Sequence, residues 1–315
     1  MVNLKDIGYA NKRITKYIKH TPLYYSSYLS NITHNKVFLK LENLQNTNSF
    51  KVRGAFNYIL QIESSVGMKG VITASSGNHG NAVAFAASCA GYPARVVVPV
   101  DAPEIKIKAI KEFGAEVIPW GKYTSERNLK AKEIAKKEGL TFVDSVDHPW
   151  IIAGQGTVGL EIIKDFPEIE NIIVPIGGGG LISGISIAVK EQKPDVRIYG
   201  TEPEESNSMY LSLSNGEITE LNNINTIADG LRSNKPGYLT FDIVKKYVNK
   251  VLLVKDDDIK FALKTLLLKE KFLAEPSGAV ALAALLSGKF QHQNSNVALV
   301  ISGGNVDLEM VKKFL

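Results

Sequence analysis

The run Ile172-Ile173-Val174-Pro175-Ile176 ends in four consecutive glycines, Gly177 to Gly180, and passes at once into Leu181-Ile182-Ser183-Gly184. The apolar run has the length and β-branching of a buried strand. The glycines let the backbone turn sharply and leave it unshielded by side chains. A helix starting at Leu181 aims its free N–H groups, and the positive end of its dipole, back at that turn. The unit is therefore an anion site, best suited to a phosphate. A plain surface turn is the weaker reading, because a linker rarely sits between a buried strand and a helix.

The rest of the chain repeats this strand-to-helix rhythm. After Gly70, strands are expected at Val71–Ala74, Ala94–Pro99, Ala115–Trp120 and Thr141–Asp144. Between them lie helices at Asn78–Ala90, Glu104–Phe113 and Thr124–Glu138. A second run follows: helix Gln155–Phe166, strand Asn171–Ile176, helix Leu181–Gln192 and strand Val196–Glu202. Beyond an irregular stretch from Pro203 to Pro236 come strand Lys250–Lys255, helices Asp257–Leu273 and Ser277–Gly288, and strand Asn296–Ser302. Strands alternating with helices imply parallel sheets covered on both faces. Two α/β domains are expected, with residues 70–147 as the smaller lobe. Ligands in such folds sit at the carboxyl ends of strands, where the glycine turn, the Ser75 turn and the Ser302-Gly303-Gly304-Asn305 turn all fall.

Composition excludes several classes. The net charge is +5, but its 37 Lys and Arg are scattered among 32 acids with no basic stripe, so nucleic acid is not an expected partner. The one cysteine, Cys89, can form no internal disulfide and is expected to be a small buried hydrophobe. Met1 to Asn11 lack the apolar core of a signal peptide, and the longest apolar run, Ala279 to Leu286, is too short for a membrane span. A cytoplasmic protein is the expectation.

Individual residues say less. Ser49 is a good N-cap for a helix over Phe50–Glu63. Thr73-Ala74-Ser75-Ser76-Gly77-Asn78-His79-Gly80 follows a strand and opens a helix, which suits a carboxylate or a plain capping turn equally. Lys51 lies at the start of its helix, where the dipole disfavours the ammonium form. Nothing in periodicity singles it out.

The ordered set does. Ser49-Phe50-Lys51-Val52-Arg53-Gly54-Ala55, then Ser75 to Gly80, Gly177 to Gly180, Glu275-Pro276-Ser277-Gly278-Ala279 and Ser302-Gly303-Gly304-Asn305 resemble the fold-type II pyridoxal-phosphate enzymes. The likeness is to the serine racemase and serine/threonine dehydratase family, and it runs from about Thr21 to Asp307. It implies a two-domain α/β fold of the tryptophan synthase β type, with parallel-rich twisted sheets flanked by helices. Residues 1–69 and 148–315 would form the large cofactor-binding domain and residues 70–147 the small mobile one.

By the same resemblance, Lys51 holds pyridoxal 5'-phosphate as a Schiff base, beside Phe50, and then acts as the base at Cα. Gly177, Gly178, Gly179 and Gly180 cradle the phosphate, Asn78 partners the 3-oxygen and Ser302 the pyridine nitrogen. Ser75, Ser76, Asn78 and His79 hold the substrate carboxylate. Ser76 is the acid on the face opposite Lys51, and Arg127 and Ser233 lie on the substrate side. The implied reaction is elimination of water from L-threonine or L-serine, giving a 2-oxo acid and ammonia, with serine racemisation as a second outcome. A mainly racemase activity, or 3-hydroxyaspartate dehydration, is the alternative. The enzyme would be a homodimer.

Three departures bear on this. Asn48 stands where the family often has glycine, and asparagine is the next-best residue for a left-handed turn. Glu202 matches a carboxylate that binds Mg2+ or another divalent cation in racemases, but Ser206 and Ser208 follow where a second carboxylate is expected. No regulatory domain fits after Asn305, so feedback control by isoleucine is not expected. From another class, Gly178, Gly180 and Ser183 approximate a dinucleotide fingerprint with Glu202 as its ribose acid, an NAD-dependent oxidoreductase reading that leaves the other motifs without a role.

Overall fold

The computed structural model describes residues 2–63 and 68–314. In chain order its strands are β1 Leu23–Ser26, β2 Lys36–Leu41, β3 Val71–Ala74, β4 Ala94–Val98, β5 Glu116–Pro119, β6 Thr141–Phe142, β7 Asn171–Pro175, β8 Arg197–Pro203, β9 Lys250–Val254 and β10 Asn296–Ile301. The helices are α1 Leu4–Ile14, α2 Ser27–Thr33, α3 Lys51–Glu63, α4 Asn78–Ala90, α5 Glu104–Lys111, α6 Thr124–Glu138 and α7 Pro149–Asp165. They continue with α8 Gly180–Lys190, α9 Ser208–Asn215, α10 Tyr238–Tyr247, α11 Asp256–Thr265, α12 Pro276–Leu286 and α13 Leu308–Phe314.

The strands form two sheets. A six-stranded sheet runs β1-β2-β10-β7-β8-β9, and a four-stranded sheet runs β5-β4-β3-β6. Every pairing is parallel except β1 with β2. The sheets are thus parallel-rich, as expected, with one antiparallel edge. Only nine residues, Ser27 to Asn35, separate the end of β1 from β2, and a short return favours an antiparallel neighbour.

Burial on both faces explains the continuous apolar runs of the central strands. In β10, Val297, Leu299 and Ile301 enter one core cluster with the α11 and α12 residues Leu263, Val280 and Leu282. Ala298 and Val300 enter the opposite cluster with Ile162 of α7 and Ile182 and Ile185 of α8. The period-two alternation of strand side chains thus feeds two cores at once. Helix α3 belongs to neither. Its Val52, Phe56 and Ile59 pack with Val83 and Ala87 of α4, beside the small sheet.

Topology places the site. Parallel β2, β10 and β7 lie side by side, with Leu41 opposite Ile301 and Leu299 opposite Ile173. Their carboxyl ends therefore release three connections along one edge: residues 42–50 leading to Lys51, the Ser302 turn, and the glycine turn. In the small sheet β3 lies beside β6, so the Ser75 turn and the Asp144-Ser145 segment also leave from one edge.

Four expectations need correction. Ser49 does not cap α3; it is extended and bridges Gly303, and its buried Oγ has no partner. Cys89 is exposed, near the C-terminal end of α4. The helix expected to reach Leu273 leaves α geometry after Thr265, continues as a π-turn over Leu266–Glu270, and ends at Lys271 in a left-handed conformation. The irregular stretch before Pro236 contains α9, whose first turn is held by Glu202.

Candidate active site

The helix bearing Lys51 is pinned at its start by the Ser302 turn. The Phe50 N–H donates to the Ser302 carbonyl at 3.1 Å. Just upstream, Thr47 and Asn48 both take positive φ, 59° and 55°. Asn48 thus makes the left-handed turn expected of it. Its carbonyl accepts from the Gly304 N–H at 2.9 Å, a second tie to the same turn.

Lys51 keeps part of its surface accessible, and its Nζ donates to the Ser145 carbonyl at 2.8 Å. Burial pushes its pKa down to about 8, with the charge of Asp144 opposing. No carboxylate among the described residues hydrogen-bonds it, and about half of the amine is free near pH 8. Asp144 is itself occupied, its Oδ1 accepting from the Val146 and Asp147 N–H groups at 2.8 Å.

The next residue leads to the glycine turn. Val146 packs over it: a Cβ at Gly178 would lie 2.8 Å from Val146 Cγ1, and one at Gly180 would lie 3.1 Å from the Val146 carbonyl oxygen. Gly179 has φ +96° and is the N-cap of α8, with no side chain capping the helix. A substitution there would be strained and would meet Met209 Cε and Thr240 Cβ, both at 2.9 Å. Thr240 Oγ1 donates to the Gly178 carbonyl at 2.7 Å and fixes the outer wall of the turn. Asp147 in turn accepts from the Tyr238, Leu239 and Thr240 N–H groups that open α10. The first N–H groups of α8 are thus left for an anion.

Helix α4 starts in the same way. Gly77 is its N-cap without a side-chain cap, and Ser75 Oγ accepts from the Gly77 N–H at 3.2 Å. Ser76 is half-buried and its hydroxyl has no partner among the described residues. The His79 side chain turns inward instead. It is buried, its ring Nε2 lies 3.3 Å from the Val143 carbonyl, and burial followed by the charge of Lys51 lowers its pKa to about 3. The ring is therefore neutral and donates from Nε2; only the backbone N–H of His79 belongs to the helix start.

The remaining expected residues sort into near and far. Ser302 is buried, and its Oγ reaches the Ser277 carbonyl at a long 3.4 Å. Close approach of α12 makes this possible, since a Cβ at Gly278 would lie 2.3 Å from the Gly303 carbonyl oxygen. Ser233 Oγ donates to the Lys235 carbonyl, two residues past Leu231, whose Cα borders Gly177. Arg127 is held at the start of its own helix, donating to the Lys122 carbonyl and to Thr124 Oγ1. Glu202 is fully buried and accepts from the Met209 and Tyr210 N–H groups at 3.0 and 2.8 Å. Those donors take one acceptor site on each Glu202 oxygen. Among the described residues no group of three or more His, Cys, Asp or Glu could hold a metal.

Sequence reasoning missed three participants, Ser145, Val146 and Asp147, and gave Glu275 no role of its own. Glu275 Oε1 accepts from Asn78 Nδ2 at 2.6 Å, and burial first, then Asp229, push its pKa up to about 8. Its sequence signal was its place in the Glu275-Pro276-Ser277-Gly278-Ala279 motif, just ahead of Pro276, the first residue of α12.

Two uncapped helix starts and a partly free lysine amine on one crevice fit a phosphorylated aldehyde together with a carboxylate. Residues 14–303 match the family described as pyridoxal-phosphate dependent enzyme. The chain belongs to that family. It is 43% identical to the L-threonine ammonia-lyase of Thermotoga maritima over 315 residues, covering 100% of this chain and 78% of that one. It is 40% identical to the catabolic L-threonine dehydratase of Escherichia coli, over 99% of this chain and 95% of that protein. Among solved structures, maize serine racemase superposes with a TM-score of 0.95 at 38% identity, covering 99% and 96% of the two chains. The nicotinamide reading falls with these matches, and Glu202, committed to α9, offers no free carboxylate to a ribose.

Proposed function

We propose that the chain is a pyridoxal-phosphate-dependent ammonia-lyase that converts L-threonine or L-serine to a 2-oxo acid and ammonia, with serine racemisation as a second activity. The observation that carries the reading is the Lys51 amine, bound to a carbonyl rather than a carboxylate, beside an uncapped glycine helix start. When bound, the cofactor supplies an electron sink that makes the Cα–H of an attached amino acid acidic.

The chain's own groups do the rest. The N–H groups opening α8 at Gly179-Gly180 hold the phosphate, and Thr240 and Val146 keep that turn in place. The N–H groups opening α4 hold the substrate carboxylate, with Ser75 shaping the turn. Lys51 Nζ removes the proton from Cα, which its lowered pKa permits near pH 8. The hydroxyl on Cβ takes up a proton and leaves as water, a second water is consumed in releasing the nitrogen, and the net products are a 2-oxo acid and ammonia. Ser302 faces the ring nitrogen with a neutral hydroxyl, so no carboxylate holds a proton there. Ser76, with its hydroxyl unengaged, returns a proton to Cα from the other face, and this favours racemisation as the second outcome. Ser233 and Arg127 border the substrate side, and residues 70–147 act as the mobile lobe.

We further read the chain as a cytoplasmic homodimer. Exposed Tyr24, Tyr25, Tyr28, Ile32, Leu268 and Leu273 cluster around β1, α2 and the π-turn, where Tyr24 packs edge-on against Phe272, and such a patch supports a second copy.

The test uses purified protein loaded with cofactor. It should absorb in the visible, be bleached by borohydride, and release 2-oxo acid from L-threonine or L-serine. Lys51→Ala should lower that rate by at least about a thousandfold while still binding cofactor non-covalently. Ser76→Ala should suppress D-serine formation more than elimination. A colourless protein, or a coloured one that releases no oxo acid from either substrate, refutes the reading.

A further inference from the structure

A side-chain amide can present either a donor or an acceptor, and its orientation is set by what surrounds it. Around Asn78 that choice is made by a chain of contacts beginning at a backbone carbonyl. The Thr47 carbonyl accepts from Asn305 Nδ2 at 2.8 Å. A carbonyl can only accept, so the Asn305 nitrogen must face it. The same nitrogen donates to Asn78 Oδ1 at 2.7 Å, and the Asn305 oxygen is turned to Asn48 Nδ2 at 3.3 Å. With its oxygen engaged by Asn305, Asn78 can offer only its nitrogen to Glu275, and it does so at 2.6 Å. The nitrogen carries two hydrogens and Glu275 takes one. The second is the donor left to Asn78. The arrangement is packed from behind, since a Cβ at Gly303 would lie 2.5 Å from Glu275 Oε1 and 3.2 Å from Asn78 Nδ2.

We propose that Asn305 and Glu275 are positioning residues that lock the Asn78 amide with an N–H toward the cofactor's 3-oxygen, so that the site selects the anionic form of that oxygen. This rests on the reading of Asn78 as the neighbour of the 3-oxygen. A reversed amide would set a carbonyl against the same oxygen, repelling its anion and favouring its protonated form. The left-handed Thr47-Asn48 turn thereby acquires a purpose, because it aims the carbonyl that begins the chain.

The experiment is absorption spectroscopy of holoenzyme variants, with cofactor affinity measured on the apo-proteins. A protonated 3-oxygen moves absorption of the lysine-linked cofactor from the visible to the near ultraviolet. Glu275→Gln keeps an acceptor for Asn78 and should retain the wild-type visible band. Glu275→Leu removes the acceptor, and Asn305→Asp removes the donor that orients Asn78. Both should gain near-ultraviolet absorption at the expense of the visible band and bind cofactor about tenfold more weakly, the loss of roughly one hydrogen bond. The proposal is overturned if Glu275→Leu and Asn305→Asp keep the wild-type spectrum, or if Glu275→Gln shifts as far as Glu275→Leu. Should Asn305→Asp not fold, the two Glu275 variants decide alone. A wild type that takes up no colour overturns the cofactor reading and this proposal with it. A coloured wild type whose variants keep their colour overturns only the proposal.

Discussion

Two cations sit two residues apart on α3 and meet opposite fates. Arg53 has no exposed surface, and each of its five N–H donors has an acceptor. Nε and Nη2 bind the two oxygens of Glu42 at 2.8 Å each; Nη1 and Nη2 bind those of Glu161 at 2.7 and 2.9 Å; Nη1 also reaches Thr157 Oγ1 at 3.1 Å. Lys40 joins from β2, donating to Glu161 at 2.6 Å and to the Thr21 carbonyl at 2.7 Å. Burial alone would lower the Arg53 pKa, but Glu42 and Glu161 reverse this and raise it. Lys51 has one carbonyl partner and no ion pair, and its pKa falls. The same helix thus fixes a charge on one side and withholds one on the other. The difference teaches that burial by itself does not make a reactive lysine; burial without a carboxylate partner does.

The largest effect should come from the paired side. Arg53→Met leaves buried Glu42 without a cation and Glu161 with Lys40 alone, and should cost about 3–5 kcal/mol in urea unfolding of the apo-protein. Adding Glu42→Gln and Glu161→Gln should recover part of it. An Arg53→Met loss below about 1 kcal/mol would break the comparison, because the network would then hold nothing together.

The pH dependence of Lys51 comes next. Its folded pKa, about 8, lies below the ordinary 10.5, so between those values the unfolded chain binds more protons than the folded one. Apo-protein stability should therefore climb with pH across that window relative to Lys51→Met. Partial exposure of Lys51 will mute the slope. A difference between the two proteins that stays flat from pH 8 to 10.5 would mean that the lysine is as ordinary as one on the surface. The smallest effect belongs to Thr157→Val, which removes one of five acceptors around Arg53 and should cost about 1 kcal/mol in the same urea titration. No measurable change would show the guanidinium satisfied by carboxylates alone.

Much of the frame could be read from residue order. Strand β3 and helices α4 and α6 begin and end where periodicity and glycine boundaries put them. The glycine turn declared itself as an anion site because strand, turn and helix are contiguous there. What escaped was made by residues distant in sequence. Glu275 reaches Asn78 across 197 positions, and Arg53 reaches Glu161 across 108, so no local pattern signals either pair. Lys51 was visible only through a family resemblance, since what distinguishes it is the lack, among the described residues, of a carboxylate partner. Short α2, of seven residues, lacks enough turns to show a periodic apolar face. Ser49 looked like a cap because serine usually is one. A β-bridge to Gly303, invisible locally, claims its backbone instead.

That bridge, with the Phe50 and Asn305 contacts beside it, joins segments 258 positions apart at their widest. Chains are made from the N-terminus, so Lys51 exists long before the residues that seat it. A nascent chain can fold its small sheet early, because residues 71–142 pair only with one another. The crevice around Lys51 closes only when β10 has inserted between β2 and β7 and carried Ser302 to Asn305 into place. Maturation is therefore ordered in time: on a growing polypeptide the crevice stays incomplete until Asn305 has left the ribosome.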